Sequence, residues 1–159
     1  MAELVLMTRD DLFGLPEPVE PEGYTVRTYR EGDEASWVRI ITAAFPEFQW
    51  DEAKFKATFT SQSQFRPEIL FFAVHQATSK AVGTAMAWTE APSEREAGCV
   101  HWVAVDPGHQ RRGLGRLLTL KVLHRMRQNG LVRATLHTEP YRGGAIKLYE
   151  GLGLRQQAP

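Results

Sequence analysis

A mixed α/β fold, a central twisted sheet flanked by helices, is predicted by three features of this chain. Period-two apolar runs and runs with helical periodicity alternate along it. A β-favouring run at residues 99–105 passes through a glycine-bearing basic turn into the longest amphipathic stretch, and another β-favouring run follows. Such a strand–turn–helix–strand unit predicts a parallel crossover. Finally, 159 residues with 43% hydrophobic and 24% charged side chains suit one domain able to bury a substantial core.

Each element has its own local reason. Residues 4–7 form a short apolar run with strand character, and residues 10–23, with Pro16, Pro18 and Pro21, read as an extended linker. YTVRTY at 24–29 alternates and is β-branched or aromatic, so a strand is expected. Asp33 is placed to cap a helix in which Trp37, Ile40, Ile41 and Ala44 share a face, and Pro46 ends it. A second helix is expected over 51–59, with Phe55 and Phe59 one turn apart. Residues 69–75 and 81–89 predict a hairpin, and 90–98 a polar loop. The helix over 114–128 carries a broad apolar face from Leu114 to Met126 and stops at Asn129-Gly130. A strand at 132–138 and a short helix at 144–150, ended by Gly151 and Gly153, complete the reading.

Charge narrows the function classes. The net charge is +0, from 19 basic and 19 acidic residues, which disfavours a general nucleic-acid binder. Residues 109–133 nonetheless hold Arg111, Arg112, Arg116, Lys121, Arg125, Arg127 and Arg133 without one carboxylate, a local patch suited to a small polyanion. The single cysteine, Cys99, excludes an internal disulfide framework and a cysteine-rich metal site, so no metal is expected. No apolar run approaches the ~20 residues of a membrane span, and residues 1–11 lack a signal peptide's basic start. A cytoplasmic protein without membrane partners is the resulting expectation.

The most specific chemistry lies at His101–Leu118. Asp106-Pro107-Gly108 is turn chemistry, and Gln110-Arg111-Arg112-Gly113-Leu114-Gly115 leads directly into the helix. Unpaired N–H groups at a helix start point outward together, and the helix dipole adds about half a positive charge. Gly113 and Gly115 let a diphosphate approach the backbone, with Arg111, Arg112 and Arg116 around it.

This order and spacing resemble the central motif of the GNAT family, the Gcn5-related N-acetyltransferases. Its Arg/Gln-x-x-Gly-x-Gly/Ala pattern is filled here by Gln110, Gly113 and Gly115. A second segment, Ala145, Leu148, Tyr149 and Gly153, matches the family's Asn-x-x-Ala-x-x-Leu-Tyr-x-x-x-Gly-Phe at the right distance, so the resemblance covers residues 23–155. Arg142 stands where the family often has Asn, and Leu154 replaces Phe. The family's two last strands have only residues 154–159 to draw on. ELVLMTR at 3–9 resembles the strand between the halves of tandem mycothiol-synthase-like members. The chain thus resembles a mycothiol-synthase-like domain with a shortened C-terminus. Residues 3–8 are expected to supply the missing strand, within the chain or by exchange in a dimer. The domain reading is one unit over 1–159: extra strand 3–8, linker 10–22, core 23–155.

The resemblance implies acetyl-coenzyme A as co-substrate and an amine acceptor from a small molecule or a protein. It implies that the strand at Val103, Ala104 and Val105 bonds the pantetheine arm, and that the turn from Gln110 through Arg111, Arg112, Gly113, Leu114 and Gly115 to Arg116 holds the pyrophosphate. Arg142 would take a coenzyme contact. Tyr149 would be the general acid that protonates the departing thiolate, its phenol of pKa ~10 remaining protonated at neutral pH. The alternative is a tyrosine that only packs. His101, two and four residues before Val103 and Val105, is expected on their face of the strand and is the sharpest candidate for general base. His137, Glu139, His75 and Glu90 are weaker candidates, and Cys99 reads as a buried structural thiol. Residues 45–59 with Trp88 and Trp102 are expected around the acceptor, mostly as core.

Two other readings stay open. One is a non-catalytic acyl-coenzyme A-binding module, which Arg142 and the short C-terminus would suit. The other is a site for a different nucleotide, although no Gly-Lys-Ser/Thr ending or Gly-x-Gly-x-x-Gly series is present. Monomer and homodimer are equally compatible with the sequence.

Overall fold

The structure, a computed structural model, describes residues 4–157. Along the chain come β1 (Val5–Arg9), β2 (Tyr24–Thr28), α1 (Glu34–Ala44), α2 (Glu52–Phe55), β3 (Leu70–His75), β4 (Lys80–Trp88), β5 (Ala97–Val105), α3 (Leu114–Gln128), β6 (Arg133–Thr138), α4 (Gly143–Gly151) and β7 (Arg155–Gln156). The strands form one mixed sheet in the order β2-β3-β4-β5-β6-β1-β7. All neighbours are antiparallel except β5 and β6, which run parallel on either side of α3. The mixed α/β sheet and the parallel crossover are as the sequence predicts.

The N-terminal strand sits inside the sheet. β1 pairs along its full length with β6 of the same chain, Val5 opposite Thr138 and Arg9 opposite Ala134. Its other edge holds β7, a two-residue strand that the sequence did not reveal. Glu3, where the expected strand begins, lies outside the described residues. The linker after β1 has no regular structure, yet it is anchored: Leu12 and Leu15 are buried, and Pro16 O lies 2.9 Å from His124 Nε2 on α3.

One helix start differs from expectation, and the other is as expected. Asp33 precedes α1, but its carboxylate caps no helical N–H. It instead forms paired bonds with the Arg27 guanidinium at 2.7 and 2.9 Å, and accepts from the Arg30 N–H. The charge-assisted pair ties α1 to β2. Asp51 does cap, accepting the Lys54 N–H at 2.7 Å. The helix it starts soon widens into a π-helical turn over Lys56–Thr60, where Thr58 and Ser61 hydroxyls bond carbonyls four residues back. Phe55 and Phe59 remain buried on either side of that change.

Opposite layers cover the sheet. α3 packs through Leu117, Leu118, Val122 and Met126, all buried, each contributing roughly 2 kcal/mol of apolar burial. It lies so close to β4 that a Cβ on Gly83 would meet Leu118 Cδ1 at 3.0 Å. A valine there would push helix and sheet apart. The other face carries α1 and α2, whose Trp37 and Phe55 rings lie 4.8 Å apart. Among the described residues, no helix is long and apolar enough to cross a membrane.

Candidate active site

The parallel pair of β5 and β6 is short. Ala97, Gly98 and Cys99 pair with Arg133, Ala134 and Thr135, and from Val100 onward β5 has no partner on that side. The parting opens a cleft of about 1380 Å³ between β5, the start of α3, the end of β6 and α4. Unpaired strand edges present N–H and C=O groups that readily accept another extended chain. His101, Val103, Ala104, Val105, Gln110, Arg111, Gly113, Leu114, Gly115, Arg116, Arg142 and Tyr149 all line this cleft. Arg112 does not, and its side chain faces solvent.

The turn into α3 is shaped by two left-handed residues, Arg111 at φ 62° and Gly113 at φ 82°. The first helical bond runs from the Leu117 N–H to Gly113 O, so the N–H groups of Leu114, Gly115 and Arg116 precede the helical ladder. Asp106 Oδ1 accepts the Gly108 N–H, and Gln110 Nε2 donates to Val105 O at 3.0 Å. The amide of Gln110 therefore fastens the turn to the strand. His109, which the sequence reading passed over, also lines the cleft, with its Nδ1 2.6 Å from the Tyr24 hydroxyl.

β5 corrects one expectation. Met86 stands opposite His101 and Thr84 opposite Ala104, so Ala85 alone spans Trp102 and Val103. This β-bulge inserts one residue and reverses the alternation. His101 therefore shares a face with Ala104, while Val105, opposite Gly83, points to the α3 face. Counting by two across residues 101–105 fails because the backbone is not continuously extended there: Trp102 has φ 50°. A bulky residue in that region costs on the order of 1–3 kcal/mol and persists only where its surroundings enforce it. Here the indole is packed by Trp37, Trp50, Phe45 and Phe48, at centroid distances of 6.2, 5.5, 5.6 and 5.3 Å.

Burial holds His101, Cys99 and Tyr149 neutral. Burial pushes the His101 imidazole down to about 4, and nearby His137 adds to this. Its Nδ1 lies 3.3 Å from Cys99 Sγ. Burial pushes the Cys99 thiol up to about 11, so it is no ready nucleophile. Burial also raises Tyr149 to about 12, with Arg142 opposing and Glu139 assisting. His137 and Glu139 line the cleft; His75 and Glu90 do not.

Arg142 is otherwise engaged than its position suggested. Its guanidinium bonds Glu139 at 2.7 Å and Glu47 at 3.0 Å, and lies 4.4 Å from the centre of the Phe45 ring. It thus braces the loop after α1 against the start of α4, across the cleft mouth. Of the aromatic residues expected near an acceptor, Phe45, Phe48 and Trp102 reach the cleft, whereas Phe55, Phe59 and Trp88 are core. Among the described residues, no three His, Cys, Asp or Glu side chains are grouped to hold a metal.

Comparison with known proteins agrees with this geometry. Residues 34–154 match the Acetyltransferase (GNAT) family. Over 145 residues the chain is 38% identical to a mycothiol acetyltransferase of Nocardia farcinica, covering 87% of this chain and 48% of that protein. It is 39% identical over 148 residues to a mycothiol acetyltransferase of Rhodococcus erythropolis, covering 87% and 49%. The chain therefore spans about half the length of the curated relatives it matches. In fold it is similar to a GCN5-related N-acetyltransferase from Sphaerobacter thermophilus, with a TM-score of 0.81 at 23% identity, covering 99% of this chain and 50% of that one.

Proposed function

The chain belongs to the acetyltransferase (GNAT) family, and from that premise we propose that it transfers acetyl from acetyl-coenzyme A to a primary amine of a small molecule or protein. The observation that carries this reading is the joining of two features in one cleft: an unpaired β5 edge from Val100 onward and the free N–H groups at the start of α3.

An acyl-coenzyme A fits such a cleft. Its pantetheine arm has amides for a strand edge, and its pyrophosphate suits a helix start within a segment, residues 109–133, that carries no carboxylate. Val103, Ala104 and Val105 would hold the arm, and the turn from Gln110 to Arg116 the phosphates, Arg112 contributing backbone and long-range charge only. The coenzyme supplies an activated acetyl thioester. Arg142 is assigned to bracing the wall, because Glu47 and Glu139 already occupy its guanidinium.

The acceptor nitrogen must be neutral to attack, and the departing sulfur needs a proton. Tyr149, protonated across the neutral range and facing the cleft, is the donor we assign. His101 lines the same cleft as a neutral imidazole. At a value near 4 it is a weak base, better suited to relaying a proton through water than to holding one. Backbone N–H groups of β5 where the strands part would bond the thioester carbonyl.

Calorimetric titration with acetyl-coenzyme A, followed by thiol release with and without added amine, tests the reading. Micromolar binding and amine-dependent thiol release are expected. Absence of coenzyme binding would overturn it, and binding without amine-dependent release would leave only a binding module.

A further inference from the structure

Resting on the acetyl-transfer reading, we propose that Trp102, Phe48 and Phe45 form an aryl subsite, selecting acceptor amines carried on a short arm from an aromatic ring. These three rings line the cleft, and their mutual centroid distances of 5.3, 5.6 and 6.3 Å make one continuous aromatic wall. Phe48 is 36% exposed and stands outside the hydrophobic core. Its ring packs on Trp102 and Phe45 and leaves the remainder of its surface exposed at the cleft.

Trp102 is aimed there by the bulge. The inserted residue turns the indole toward α1 and the loop that follows it, where Trp37 and Trp50 back it edge-on. Trp50 is in turn covered by the Lys54 ammonium, 4.2 Å from its centre. Phe45 is fixed from outside by Arg142. The wall is therefore ordered before any ligand arrives, so little side-chain freedom is lost on binding. Aromatic rings favour edge-to-face or offset contacts with another ring, which a saturated chain cannot reproduce.

Position and charge define the rest of the acceptor. Trp102 follows His101 in the part of β5 that has no β6 partner, so a ring seated on the indole carries its amine toward the place where the strands separate. Two carboxylates, Glu47 and Glu139, face the single Arg142 guanidinium and leave that rim with an excess negative charge. An ammonium group is drawn in, and rings with electron-rich faces tolerate it until it loses its proton.

The experiment compares 2-phenylethylamine with 2-methoxyethylamine, amines of similar basicity, in steady-state thiol release from acetyl-coenzyme A. The wild type should favour the aryl amine in kcat/KM by about tenfold or more. Phe48→Ala should lower that preference about tenfold, through KM for the aryl amine, while calorimetry finds the affinity for acetyl-coenzyme A unaltered. Trp102→Phe should reduce the preference in the same sense. A wild-type preference near unity, or a Phe48→Ala loss equal for both amines, overturns the subsite. If neither amine releases thiol although the coenzyme binds, the transfer reading fails instead. The subsite is then decided by saturation-transfer NMR of 2-phenylethylamine on coenzyme-loaded protein: a signal abolished in Phe48→Ala supports it, and no signal in the wild type overturns it.

Discussion

His101 Nδ1 lies 3.3 Å from Cys99 Sγ at the last residue pair before β5 and β6 part. Both groups are uncharged, and the imidazole resists protonation because it is buried and faces His137. Its ordinary value of 6.5 falls to about 4 in the fold. Between those pH values the unfolded chain takes up a proton that the folded chain refuses. The corresponding stability is fully present above 6.5 and is lost as pH falls toward 4, by up to about 3 kcal/mol. Thermal unfolding at pH 7.5 and pH 5 should therefore drop less in His101→Gln than in the wild type. Equal drops would remove His101 as the cause.

Tyr149 offers a separate test of chemistry. Burial holds its phenol at about 12, so it remains a proton donor at every pH the enzyme would meet. Tyr149→Phe keeps the ring and its packing while removing the proton. Turnover should fall on the order of 10²-fold, with little change in the dissociation constant for acetyl-coenzyme A. An unchanged rate would make Tyr149 a packing residue.

The turn proposed to hold the phosphates can be disabled without touching the core. Beyond its neighbours Gly113 has nothing within 4 Å of an added Cβ, and Gly115 meets only Leu148 Cδ1, at 3.4 Å. Gly113→Asp with Gly115→Asp would place two carboxylates at the helix start and strain residue 113 at φ 82°. Coenzyme affinity should fall by about 100-fold or more, while the far-ultraviolet circular dichroism retains its shape. Retained affinity would move the phosphate site elsewhere.

The unit from β5 through α3 to β6 was legible because its signals are local. Asp106-Pro107-Gly108 and Asn129-Gly130 punctuate it, and the Leu114–Met126 face sets the period. The bulge was not legible, since it depends on Ala85 of β4 facing two residues, and Trp102 carries no glycine to announce it. Arg142 and Glu47 are likewise joined only by the fold, so the ion pair between them had no signal in the sequence. Asp33 had the composition of a cap and was diverted by Arg27, a stronger charged partner. β7, two residues long, exists only because β1 offers it an edge.

Arg9 is where the N-terminal strand is fastened to the end of the chain. Its guanidinium donates to Leu152 O and Phe13 O, and its Nε to Asp11 O, so one side chain satisfies three carbonyls. Gly153, at φ 88°, makes room for it: a Cβ there would collide with Arg9 Nη1. Arg9→Met should destabilise the fold by about 1–3 kcal/mol, through lost charge-assisted bonds. Gly153→Ala should cost a similar amount, about 1 kcal/mol from backbone strain and the rest from displacing Arg9. Because both substitutions break the same contact, the double variant should lose less than the sum, by about 0.5 kcal/mol or more in urea unfolding. Strict additivity would show that the two residues act independently, and the fastening of β1 to the turn after α4 would then rest on the strand pairing alone.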